Sequence, residues 1–155
     1  MTTQAQTTLT LPDEAQTPYK VAGKLVAEIK STDGFSKIFL EYIEKAKTFK
    51  ITKADFDTKG ELTSIITTTM PTAVMRFQTD GYGSRVEMEE NEYFGTGKFA
   101  KLTLLCQGQE SCFTQEIVNI WNPTESTKKN VGYEIYYFAK KDVAENILKE
   151  FVAKK

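Results

Sequence analysis

The stretch Glu92–Ala100, EYFGTGKFA, sets two glycines before a lysine, much as a phosphate-binding loop does. A dinucleotide fingerprint needs its glycines between a strand and a helix, so that the pyrophosphate meets the helix N-terminus. Here the chain runs on as KFAKLTLLC, which reads as a strand. A P-loop would need glycine where Glu92 stands and Ser or Thr where Phe99 stands. A hairpin turn that requires positive φ accounts for Gly95 and Gly97. The motif is a decoy, and no cofactor is expected.

Three other groups could do chemistry. Cys106 and Cys112 flank QGQES at a hairpin tip, where a cross-strand disulfide is geometrically feasible. With no export signal the reading is two free thiols in a reducing compartment. The acidic run Glu87, Glu89, Glu90 and Glu92 lacks the Asp/Asn spacing and the glycine of a calcium loop. No metal is expected there or at the cysteines. The chain has no histidine. Every Ser-His and Cys-His nucleophile and every His-containing zinc site is therefore excluded, and the reading is a protein that is not an enzyme. An enzyme using Tyr and carboxylates in a cavity is the third alternative, with no motif behind it.

The segment KKNVGYEIYYFAKKD interleaves aromatics and cations. Lys128, Lys129, Tyr136, Phe138, Lys140 and Lys141 could hold single-stranded nucleic acid by stacking and charge. The competing reading turns Tyr133, Ile135 and Tyr137 toward the core, with Tyr136 and Phe138 on the other side. A net charge of −1 weighs against nucleic acid as the partner.

These residues need elements to position them. Phe35, Ile38, Phe39, Tyr42, Ile43, Ala46 and Phe49 recur at helical spacing, which predicts an amphipathic helix over 35–49. Seven β-like runs follow, at 48–56, 61–69, 73–79, 85–94, 98–106, 112–121 and 131–139. Short turn-rich connections make them antiparallel neighbours. A second helix is expected over 142–153, with Asp142 and Glu145 as a capping-box pair and Ala144, Ile147, Leu148, Phe151 and Val152 as its apolar face. Residues 1–18 read as a flexible N-terminal arm, in which TLTL could add an edge strand, and 19–155 as a single α+β domain. No apolar run approaches the ~20 residues that span a bilayer. The expected location is cytoplasmic, or the host cytoplasm for a viral gene.

The expected fold is thus α+β, an antiparallel meander of about six to eight strands packed on the two helices. Its element order resembles a helix-grip arrangement, which implies a ligand space between sheet and helix. The expected function is non-catalytic binding of a small apolar molecule or a protein partner through an aromatic-rich surface. Phe39, Tyr42, Phe113, Ile117, Trp121, Tyr133 and Tyr137 are its candidate residues, and the same surface could join copies into a homo-oligomer.

Overall fold

The computed structural model describes residues 6–9, 19–77, 83–107, 111–122 and 125–155. It is mostly antiparallel sheet, 62% strand, with one C-terminal helix. Strands β3 (Lys24–Ser31), β4 (Gly34–Ile43), β5 (Thr48–Asp57) and β6 (Leu62–Pro71) form a meander. β10 (Phe113–Val118) and β11 (Ser126–Val131) extend it into a six-stranded antiparallel sheet of order β11-β10-β6-β5-β4-β3. A smaller sheet is built on β9 (Lys98–Cys106). β12 (Tyr133–Phe138) flanks it on one side, and β7 (Met75–Arg76) and β8 (Arg85–Glu90) on the other. The chain changes sheet from β6 to β7, from β9 to β10 and from β11 to β12. The expected single meander is therefore two sheets.

Residues 35–49 are not a helix but the β4–β5 hairpin. The helical spacing arose from two overlapping alternations. Ile38, Leu40 and Tyr42 point to one face of the sheet, Phe35 and Phe39 to the other, and both faces are covered. A strand buried on both sides has apolar residues at both parities, which imitates a helical stripe. The turn Glu44–Lys47 contains no Gly, Pro or Asn, so it gave no signal. Lys47 takes the left-handed conformation itself, at φ 49°.

The inner face of the large sheet packs on the small sheet and on α1 (Lys141–Lys154). Ile38, Phe49, Ile51 and Met70 meet Leu102, Leu104, Tyr136 and Phe138 from the small sheet, and Ala144, Ile147 and Phe151 from the helix. Phe49 and Phe151 stack with centroids 3.9 Å apart. Lys24 reaches Glu150 at 3.7 Å. The outer face carries a second cluster, Phe39, Ala54, Ile65 and Val118, under Leu9 and Val21. Those two come from a hairpin of β1 (Gln6–Leu9) and β2 (Tyr19–Ala22). The rest of the expected arm lies outside the described residues.

Helix α1 begins one residue earlier than expected and lacks a side-chain cap. Lys140 is its N-cap residue, so Asp142 stands inside the first turn, and Glu145 pairs with Lys141 at 3.5 Å. Cys106 and Cys112 form a disulfide, with Cα atoms 5.9 Å apart. This corrects the free-thiol reading, which rested on compartment and not on geometry. The bridge closes the loop where the chain passes from β9 to β10. Alkylation of the native protein followed by mass spectrometry should leave both sulfurs unlabelled until reduction. Closing so short a loop stabilises by about 2 kcal/mol in the chain-entropy picture, so reduction should lower the denaturant midpoint. Two thiols that label without reductant would contradict the bridge.

Candidate functional site

The opening motif proves to be the β8–β9 connection, with Gly95 at φ 128° and Gly97 at φ 96°. Its aromatics do structural work. Phe94 packs on Tyr137 at 4.8 Å and is met by Tyr93 and Phe99, while the Tyr93 carbonyl accepts from the Thr32 N–H. Nothing in this loop presents a helix N-terminus to a phosphate.

The candidate residues do not converge. Phe39 is buried under the β1–β2 hairpin and Phe113 in the main core. Tyr42 packs on Phe49 at 4.6 Å with Lys154 above its ring. Ile117 is half-buried on the inner face of the large sheet. Strand β10 ends at Val118, so Trp121 belongs to the following turn and is 56% exposed. The Asn119 side chain holds that turn by accepting from the Trp121 N–H at 3.0 Å. β12 has the opposite facing to the one expected. Tyr136 and Phe138 are buried, whereas Tyr133 is 59% exposed and Ile135 is exposed beside it. The nucleic-acid constellation is divided accordingly. Its two rings have no free face for a base, Lys128 pairs with Glu116 and Lys141 with Glu145. Lys128 and Lys129 lie on β11, apart in the fold from Lys140 and Lys141 at the start of α1.

Between α1 and β8 is an open groove of about 690 Å³. Helix positions Glu145, Leu148, Lys149, Val152 and Ala153 form one wall, spaced at i, i+3, i+4, i+7 and i+8. The helix's apolar stripe serves both the core and the groove. Ala144, Ile147 and Phe151 turn inward, half-buried Leu148 packs on the edge of the core and also lines the groove, and Val152 is 51% exposed. Phe77, Ser84, Arg85 and Val86 form the opposite wall. Ser84 is fixed by its hydroxyl accepting from the Leu105 N–H at 2.9 Å. Lys155 donates to the Met75 carbonyl at 2.6 Å and lies 5.3 Å above the Phe77 ring. Arg85 is held by Glu87 at 2.8 Å. Among the described residues Lys149 has no ion-pair partner. The groove therefore offers apolar walls and one unpaired cation.

Sequence reasoning named Leu148 and Val152 only as helix face and missed Phe77 and Val86. The usable signal was the width of the stripe, five apolar positions on a short helix.

A polar cluster lies between the sheets. Glu134 accepts from Thr68 at 3.0 Å and from Gln115, and Asp55 accepts from Ser36 and Ser64. Burial holds the Glu134 carboxyl above its ordinary value near 4.5, against the opposing effect of those hydrogen bonds. Burial, then the Glu134 charge, likewise pushes the Tyr136 hydroxyl up. Glu134 does not line the groove. A folded-state value above the unfolded one means that Glu134 favours folding at low pH. That contribution is lost as pH rises from about 4.5 through the raised value. Urea midpoints measured across this window should fall with pH in the native protein and fall less in Glu134→Gln. Parallel curves would show that Glu134 is not the group responsible.

No group of three or more His, Cys, Asp and Glu among the described residues could hold a metal ion, and none of their helices is long and apolar enough to cross a membrane. No family model matches the chain, and neither the curated proteins nor the solved structures give a significant match.

Proposed function

We propose that this is a non-catalytic binding protein whose groove between α1 and β8 receives a small amphipathic molecule. The observation that supports this reading is an apolar lining of exposed Val152 with half-buried Leu148, Phe77 and Val86, which the core covers only in part. A groove lined by apolar side chains with few polar groups is the usual form of a small-molecule site. Lys149 at the rim favours an anionic end on the ligand. The helix-grip element order rested on a helix over 35–49 that is a β-hairpin, so the groove stands on its own lining and not on that resemblance. Dodecanoate should bind saturably, and Val152→Glu should weaken it at least tenfold. Val152 is exposed, so the substitution spares the core. Equal binding by the variant would remove the groove from consideration.

A second reading is favoured by Tyr133 and Ile135. They form an exposed apolar pair on β12, which is the terminal strand of its sheet among the described residues. Such a pair on an open strand suits a protein partner or a second copy of the chain. Concentration-dependent association that Tyr133→Ser abolishes would support it. The free-thiol reading was drawn from an expected reducing compartment, and the disulfide tells against that compartment.

A further inference from the structure

Strand β12 has an open edge above an uncovered row of the large sheet. The Cys106 N–H donates to the Gly132 carbonyl at 2.9 Å, which fixes the hydrogen-bonding phase of the β9–β12 pair. Such bonds fall on alternate residues, so Glu134, Tyr136 and Phe138 turn their backbone groups to β9. Those of Tyr133 and Ile135 point the other way, where no strand among the described residues pairs with them. The two sheets are joined at Met70 and Phe113, where residues 71–75 lead into β7 and the Cys106–Cys112 bridge leads out of β9. One row further along the inner face, Thr68 and its register partner Gln115 donate to Glu134 of β12. The next inward-facing row is Lys53, Ile66 and Ile117. All three are half-buried, and neither isoleucine belongs to a buried cluster. The step from β9 to β12 thus matches one row of the large sheet, and no described strand takes the next step.

An unpaired strand edge recruits a further strand, with backbone groups giving affinity and alternate side chains giving specificity. A strand set beside β12 also lies over Ile66 and Ile117, so one segment satisfies both features. A second copy offering its own β12 does not fit. Antiparallel pairing of two β12 strands about a two-fold keeps both large sheets on the same side of the joined edge. Each large sheet already extends past β12 as the row of Lys53, Ile66 and Ile117, so the two would occupy the same space. A single extended segment brings no second layer. Resting on the reading of Tyr133 and Ile135 as a protein-binding pair, we propose that β12 receives an extended segment of a partner protein as an added strand. The inward side chains of that segment are β-branched or aliphatic and rest on Ile66 and Ile117.

The probe is the peptide acetyl-Lys-Thr-Val-Thr-Val-Thr-Lys-amide, titrated into the full isotope-labelled chain and followed by NMR. Saturable binding should shift the Ile66 and Ile117 methyl signals and slow hydrogen exchange at the Tyr133 and Ile135 amides at least tenfold. N-methylating alternate peptide amides should weaken binding at least tenfold in one phase and not in the other, since only one set of amides faces β12. Ile117→Lys should weaken binding by the same factor, and the methylated peptides carry the test if that variant does not fold. Protection of Tyr133 and Ile135 with Ile66 and Ile117 unmoved would overturn the proposal. Self-association that Tyr133→Ser abolishes, without peptide binding, would leave the protein-binding reading standing and overturn the added strand. Neither peptide binding nor self-association would overturn both.

Discussion

Phe49→Ala is expected to lower the unfolding free energy by about 3–5 kcal/mol, the range for removing a buried ring. Phe49 is 1% exposed and is the point where three elements meet. Its ring lies between Phe151 of α1 and Tyr42 of β4, with Met70 opposite it in the sheet register. Truncation leaves a hole that neither backbone can close, because β5 is hydrogen-bonded on both sides and the helix is also docked through buried Ala144 and Ile147. Loss of the stacked pair should also loosen the helix. Hydrogen exchange should then quicken in α1 more than in β5. A urea titration with an unchanged midpoint would show that α1 does not dock on the large sheet.

Gly34→Ala is the second substitution with a large expected effect, about 2–3 kcal/mol. Gly34 starts β4 at φ 145°, a region that side-chain-bearing residues enter only with strain of roughly 1–3 kcal/mol. The added Cβ would also collide with the carbonyl oxygen of Phe56 and come within 2.7 Å of the Asp57 carbonyl carbon. Both contacts are backbone, so relief requires the end of β5 to move away from its partner. The stacked Phe35–Phe56 pair, 4.7 Å apart across those strands, would be pulled open with it. Thermal unfolding of the variant should therefore begin well below that of the native chain. An unchanged transition would mean that this end of the β4–β5 pair is not closed as described.

The β9 run was legible to the residue, at 98–106, because Gly97 and the 106–112 loop bound it. Helix α1 was legible from its stripe. The β4–β5 hairpin was not, because a central strand covered on both faces has no polar parity to betray its period, and its turn lacks turn residues. β12 was read with the wrong face inward. Tyr133, Ile135 and Tyr137 looked as apolar as Tyr136 and Phe138, and only the register against Leu102 and Ala100 decides between them. The groove needed the third dimension entirely. Phe77 and Val86 reach α1 through the pairing of β7 and β8 along one side of β9, which no local pattern encodes. The helical stripe expected over 35–49 leaves Glu41 on its polar side, yet Glu41 is buried. Its burial depends on strand β2, which comes earlier in the chain and lies beside it in the fold.

The groove is tested most directly by mapping dodecanoate onto the isotope-labelled protein by NMR. The account expects saturable shifts at Phe77, Val86, Leu148 and Val152, with Trp121 unmoved because it does not line the groove. In Val152→Glu those shifts should require at least tenfold more ligand. Shifts confined to Tyr133 and Ile135, or none at all, would contradict it.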